Sequence, residues 1–245
     1  MKYTRFTTVV WNNHYTKVFV EGCLPSLLTP GNLPSFNQDG LPIKYRIYTT
    51  SNDAEFIRKS PIYKVLENNV ELEMDVNLVS KLILNNNDKF HIYNLCFSHA
   101  IKDTNSDDGS WIWIHPDDVF SNGSFSTVYK AVQSGKRAIF SMSGLRTYKQ
   151  SMLPILLSNY QSNDGLISIS GRDLVRLSVE YATGKMKKLY WGEYSRTLYH
   201  SSVLWNVKNE GILQRAIYGN LIFLYPEKKD EMPLYNGVSI EVTDY

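Results

Sequence analysis

The chain has 245 residues, of which 43% are hydrophobic and 20% are charged, and its formal net charge is +2. These values are typical of a globular protein that is long enough for one α/β domain with a substantial core. The small net charge argues against a nucleic-acid partner and favours a small-molecule substrate.

Cysteine usage and hydropathy predict where the protein is found. The two cysteines, Cys23 and Cys96, have apolar neighbours and lack the spacing of a zinc site, so we expect reduced core thiols, as in the cytosol. The first residues alternate like a strand and lack the apolar segment of a signal peptide. No apolar run approaches the roughly 18 residues that span a bilayer. We therefore expect a cytoplasmic protein without a transmembrane segment, for which peripheral membrane contact stays open.

Strand-like and helix-like segments alternate along most of the chain. β-branched and aromatic runs predict strands at 6–11, 45–50, 70–74, 111–114 and 137–142, and residues with helical spacing lie between them. Such alternation predicts an α/β fold, with a mainly parallel sheet and helices on both of its faces.

The carboxyl-terminal part has a different character and predicts an α+β extension. Ser170, with Asp173 three residues later, predicts the start of a helix. Beyond this helix the chain is rich in Tyr and Trp, and the runs 212–217 and 221–225 flank Gly219-Asn220 as a hairpin would.

The stretch Trp-Ile-Trp-Ile-His-Pro-Asp-Asp, residues 111–118, contains the main candidate site. Its apolar run suits a central strand covered on both faces, and Pro116 ends that strand. Asp117 and Asp118 then lie at the strand's carboxyl end, where open α/β sheets bind ligands. Two carboxylates at such a place ligate Mg²⁺ or Mn²⁺ against a diphosphate, or else they cap the following turn.

Polar residues after the first two predicted strands fall on the same edge. Asn12, Asn13 and His14 follow the first strand, and Thr50 and Asp53 follow the second. Together they suit a nucleotide base and ribose, whereas each alone also fits a turn, a cap or a structural histidine.

Arg146 is the cation best placed to bind a leaving diphosphate. It follows the presumed carboxyl end of the strand at 137–142, and a guanidinium binds phosphate oxygens in pairs. Lys136 and Arg137 enter that strand from the opposite edge and are expected to be solvated. Neither a Gly-rich phosphate loop nor a nucleophile elbow occurs in the sequence.

The order of these elements resembles the amino-terminal half of GT-A glycosyltransferases. The resemblance begins with a strand, a polar loop and a helix, which are followed by a second strand that ends in Thr-Thr-Ser-Asn-Asp at 49–53. A later helix contains Asn-Leu-Cys-Phe-Ser-His-Ala-Ile at 94–101 and leads into the stretch 111–118. In that family the apolar strand runs into an Asp-x-Asp motif whose last acid holds the metal bound to the donor diphosphate. If Asp117 matches that acid, His115 occupies the place of the first one.

The resemblance implies one GT-A-like domain over 1–245, with a donor-binding half at 1–145 and an acceptor side at 146–245. It implies donor contacts by Asn12, Asn13, His14, Thr50, Asp53, His115 and Arg146, and a divalent cation, Mn²⁺ or Mg²⁺, on Asp117 and Asp118. Because His115 stands in place of the first acid, an enzyme that needs the metal weakly or not at all is also consistent with the resemblance.

On the acceptor side, aromatic residues near Trp191 and Trp205 offer platforms for a glycan, lipid-linked or small-molecule acceptor. Glu193 or Glu210 offers the base that an inverting transfer requires.

Two other functions stay open. A sugar-phosphate nucleotidyltransferase has a similar fold but normally carries a Gly-rich loop after its first strand, and Asn12-Asn13-His14 is not such a loop. A non-catalytic protein that binds a nucleotide or a sugar would also tolerate His115.

Overall fold

In the computed structural model of the protein, residues 1–85, 87–142, 144–191, 202–208, 210–216 and 219–225 are described. The strands are β1 (Thr4–Val9), β2 (Ile43–Tyr48), β3 (Glu71–Asp75), β4 (Ser110–Trp113), β5 (Ala138–Ser141), β6 (Ser202–Val207), β7 (Gly211–Ala216) and β8 (Asn220–Leu224).

The helices lie mostly between these strands. They are α1 (Asn13–Val18), α2 (Leu24–Leu27), α3 (Ser51–Lys59), α4 (Pro61–Asn69), α5 (Asn77–Leu84), α6 (Lys89–Ser106), α7 (Ser124–Gln133), α8 (Lys149–Asn159), α9 (Gly171–Glu180) and α10 (Gly184–Lys187). A π-helical segment, Phe19–Cys23, joins α1 to α2, and a 3₁₀ helix, Leu33–Asn37, follows α2.

A central sheet of six strands confirms the predicted α/β class. Its strand order is β3-β2-β1-β4-β8-β5. Strands β1 to β4 are mutually parallel, and β8 runs antiparallel to both β4 and β5. The sheet is therefore mainly parallel, as predicted, and β3 lies at an edge.

Alternating residues of the central strands supply two separate cores, because successive side chains of a strand point to opposite faces. One core packs Phe6, Tyr45 and Ile112 against the segments around α1, α2, α4 and α7. The other packs Tyr48, Trp111 and Trp113 against α5 and α6. This two-sided burial explains why 111–114 is apolar at every position.

The hairpin predicted from Gly219-Asn220 is wrong. β7 pairs with β6 in a separate two-stranded sheet, whereas β8 is inserted between β4 and β5. Both strands have the composition that the sequence indicated, but β7 pairs with the strand before it, and the partners of β8 lie far along the chain. A strand from the carboxyl-terminal part thus completes the central sheet.

The β6–β7 hairpin packs on residues that follow β5 and α9. Leu204 and Ile212 contact a small core that includes Leu145, Ala182 and Met186. No helix in the described ranges is long and apolar enough to cross a membrane.

Candidate functional site

The chain reverses its direction of progress across the sheet between β1 and β4. It moves outward from β1 to β2 and β3, and then returns to place β4 on the other side of β1. At such a switch point the loops leave in opposite directions, and a crevice opens at the carboxyl ends of the two strands. The residues after β1 and β4 therefore flank the position where a ligand is expected.

Asp53 ties the loop after β1 to the loop after β2. Its carboxylate accepts hydrogen bonds from the backbone N–H of Asn12 at 3.1 Å, from the hydroxyl of Thr16 at 2.8 Å and from the hydroxyl of Thr50 at 2.6 Å. Thr50 in turn caps α3, since its hydroxyl oxygen accepts from the Asp53 N–H. Thr50 and Asp53 lie at the predicted edge, and their contacts position the loop after β1.

The loop that Asp53 holds is exposed and strained. Asn12 has φ 77° and ψ 127°, a conformation that costs free energy for any residue with a Cβ atom. Its side-chain oxygen accepts a hydrogen bond from the His14 N–H, and Asn12, Asn13 and His14 are all exposed. A strained, solvent-facing polar loop at a switch point is typical of a ligand-binding segment.

The acids after β4 lie in a tight turn. Ile114 still pairs with β1, because its N–H donates to the Thr7 carbonyl at 2.9 Å. The Asp118 N–H then donates to the His115 carbonyl at 3.3 Å, and Asp117 between them is exposed. In the described part of the chain Asp117 makes no hydrogen bond or ion pair, whereas Asp118 has further interactions. The carboxylate of Asp117 is thus available to a ligand.

Cys23 lies beneath this turn. The residue is fully buried, and its thiol donates a hydrogen bond to the His115 carbonyl oxygen at 3.4 Å. Burial raises the pKa of the Cys23 thiol strongly, and the nearby carboxylates of Asp118 and Asp117 raise it further. The thiol therefore stays protonated and acts as a packed donor that supports the turn.

Asn32 fixes the chain that leaves the acidic turn. This buried side chain donates to the Ser121 carbonyl at 3.1 Å and accepts from the Phe125 N–H at 3.2 Å. Residues 121–123 are thus the turn that starts α7, and Gly123, at φ 80°, immediately precedes that helix.

A series of aromatic contacts lies on the α6 side of this edge. Trp11 lies 5.2 Å from Tyr93, Tyr93 lies 6.0 Å from Trp113, and the Trp113 ring meets the edge of His115 at 5.7 Å between centroids. The sequence interpretation missed Trp11 and Tyr93. Their signal was an aromatic residue directly after β1 and another on the helix that precedes β4.

Two buried polar atoms near this edge lack partners. Within the described ranges, the hydroxyl of Thr49, after β2, and the indole nitrogen of Trp113, at the end of β4, make no hydrogen bond. Most buried polar atoms in proteins are paired, so unpaired ones require an explanation. Both atoms are closed to solvent, so neither is in contact with the space outside the sheet edge.

The segment after β5 reaches the same edge. The Lys149 ammonium group donates to the His14 carbonyl oxygen at 3.2 Å. Arg146 lies three residues earlier and is exposed, and β5 runs in the same direction as β4. Arg146 therefore follows the carboxyl end of its strand, whereas Lys136 and Arg137 precede it at the opposite edge. Sequence reasoning did not select Lys149.

Of the two candidate bases, the structure describes only Glu210. Glu193 lies outside the described residues. Glu210 is exposed in the turn between β6 and β7, where its N–H donates to the Val207 carbonyl at 2.9 Å. Its catalytic role stays a prediction.

The acid turn has the chemistry of a partial cation site. Mg²⁺ is commonly bound by one or two carboxylates together with substrate phosphates and water, which fits Asp117 and Asp118. Within the described ranges no group of three or more His, Cys, Asp or Glu side chains is arranged to hold a metal. A cation at this turn would thus need the phosphates of a substrate to complete its ligand set.

Comparisons with known proteins do not assign the chain to a family. No protein-family profile matches the sequence, and no curated protein shows a significant similarity to it.

Proposed function

We propose that this protein is a GT-A-type glycosyltransferase that moves a sugar from a nucleoside-diphosphate donor to a glycan, lipid-linked or small-molecule acceptor. One observation carries the proposal. The switch point between β1 and β4 puts an exposed polar loop, Asn12 to His14, and an acid turn with exposed Asp117 and half-buried Asp118 at the carboxyl edge of a mainly parallel sheet.

Each part of this edge has a role in donor binding. The loop at Asn12 to His14 offers amide and imidazole groups for the base and ribose, and Trp11 offers an aromatic face beside them. Asp117 and Asp118 would hold a divalent cation against the diphosphate. Such a cation would neutralise negative charge on the leaving group when bound.

Arg146 is the proposed ligand of the leaving diphosphate. Arg146 follows β5 at this edge, and its guanidinium can bind two phosphate oxygens. In an inverting transfer the acceptor oxygen attacks the anomeric carbon, the bond from that carbon to the diphosphate oxygen breaks, and a carboxylate takes the hydroxyl proton. Glu210 and Glu193 are the proposed carboxylates.

The geometry disfavours a nucleotidyltransferase. Helix α1 begins at Asn13, so only residues 10–12 connect it to β1, and this connection contains no glycine. A triphosphate is usually held by successive backbone N–H groups of a longer Gly-rich loop. The connection is too short to form one.

Ligand-induced stabilisation tests the proposal. A panel of nucleoside diphosphates is added with and without Mn²⁺, and we expect at least one to raise the melting temperature, because a ligand that binds only the folded state stabilises it. The matching nucleotide-sugar should then be hydrolysed slowly or transferred. Stabilisation without any turnover would instead favour a non-catalytic binder, and no stabilisation by any nucleotide would overturn the proposal.

A further inference from the structure

Charge is distributed unevenly along the chain. Residues 136–191 contain nine basic and three acidic residues, although the whole chain has a net charge of only +2. The rest of the chain is consequently acidic on balance. The positive charge is concentrated in the part that follows α7.

Among the described residues, the densest positive charge lies on the single helical turn of α10 and the residue that follows it. Lys185, Lys187 and Lys188 are all exposed, whereas Met186 between them is 4% exposed and packs into the small core with Leu204. We call the three lysines the basic turn. Because Met186 anchors it, the turn presents its ammonium groups from a fixed backbone.

Two large aromatic side chains flank the basic turn and face solvent. Tyr148 is 50% exposed and Trp191 is 51% exposed. The Tyr148 hydroxyl accepts a hydrogen bond from the Gly184 N–H at 3.1 Å, and the Trp191 N–H donates to the Leu204 carbonyl at 2.7 Å. Both rings are thus attached to the structure that carries the lysines.

We propose that the basic turn, with Tyr148 and Trp191, docks on an anionic membrane surface. Lysines near a bilayer are attracted by acidic lipid headgroups, and Trp and Tyr side chains partition into the interfacial layer. The rest of the chain is acidic on balance, so this attraction depends on the local cluster of lysines rather than on the net charge of the protein. The same lysines would also attract a nucleic-acid strand, but a net charge of only +2 is untypical of nucleic-acid-binding proteins.

Docking at this place would hold the candidate site beside the bilayer. The hydrogen bond from Lys149 to the His14 carbonyl connects the segment containing Tyr148 to the loop after β1. The inference itself depends on charge and exposure and does not rest on the proposed function.

Vesicle cosedimentation of the full chain tests the inference. We expect binding to phosphatidylcholine vesicles that contain phosphatidylglycerol, weaker binding at high salt, and little binding to pure phosphatidylcholine. The variant Lys185→Gln, Lys187→Gln, Lys188→Gln should lower the partition coefficient on the order of a hundredfold. Trp191→Ser should lower it as well, with the salt dependence retained.

A matched control removes the same charge elsewhere. Lys59, Lys64 and Lys81 are exposed on α3, α4 and α5, and their replacement by Gln should leave vesicle binding unchanged. Equal losses in both triple variants, or no binding by the folded wild-type chain, would overturn the inference. Binding of duplex DNA but not of vesicles would also overturn it.

Nucleotide-induced stabilisation of the basic-turn variant separates this inference from the proposed function. Retained stabilisation together with lost vesicle binding supports a lipid contact. Lost stabilisation together with unchanged vesicle binding would place the lysines at the donor site and overturn the inference.

Discussion

The carboxylate of Asp53 accepts a hydrogen bond of 3.1 Å from the backbone N–H of Asn12, which joins the first turn of α3 to the strained loop after β1. We expect Asp53→Asn to weaken nucleotide binding and to lower the free energy of unfolding by about 1–2 kcal/mol, because an amide cannot accept all the bonds that the carboxylate accepts. Urea denaturation and nucleotide titration measure the two effects.

Asp173 provides the matched control for Asp53. It lies at the start of α9 and accepts a hydrogen bond from Ser170 at 2.8 Å, as Asp53 accepts one from Thr50. Asp173→Asn should weaken the helix cap without changing nucleotide affinity. Equal losses of affinity in both variants would contradict a specific role of Asp53 in holding the loop after β1.

Asp117→Asn should abolish most sugar transfer and leave stability within about 0.5 kcal/mol of wild type, because exposed side chains without strong contacts contribute little to folding. Initial rates and denaturation curves check this. Glu67→Gln, at an exposed position on α4, removes a carboxylate far from the edge and should preserve activity. A clear loss of stability in Asp117→Asn would indicate that the acid caps the turn instead.

Asn32→Ala should lower the free energy of unfolding by about 2–4 kcal/mol. The substitution leaves the Phe125 N–H and the Ser121 carbonyl oxygen without their buried partner, and each unsatisfied group costs about 1–3 kcal/mol. Asn37→Ala, at an exposed amide nearby, should change stability by less than about 0.5 kcal/mol. A similar small change at Asn32 would mean that water replaces its hydrogen bonds.

Stability should fall as the pH rises above about 8.5, where thiols of the unfolded chain ionise. Burial raises the pKa of both Cys23 and Cys96, so the folded state keeps protons that the unfolded state releases. The unfolded state is then favoured by alkali, with a limiting slope of about 1.4 kcal/mol per pH unit for each thiol. Denaturation of wild type and of the Cys23→Ala, Cys96→Ala variant between pH 8 and 9.5 measures the slope, which should be flatter in the variant. Equal slopes would assign the alkaline transition to other groups.

The sequence by itself determined the class of fold and the location of the candidate edge. Apolar runs with the period of a covered strand, separated by helical spacing, predict a mainly parallel α/β sheet, because each pattern reflects burial within one element. The acid pair after 111–114 and the polar loop after β1 follow from the same reasoning, since parallel strands end at a common edge.

Only the tertiary structure decided which strands become neighbours and which side chains hold the site. β8 has the local pattern of a hairpin strand, yet it pairs with β4 and β5. A strand pairs with whichever strand edges are available in the folded sheet, and these need not belong to its nearest neighbour in sequence. The contacts of Asp53 with Asn12, of Cys23 with His115 and of Lys149 with His14 likewise join distant segments. The spacing of apolar residues indicates which face of a helix or strand is buried, but it does not indicate which other element covers that face.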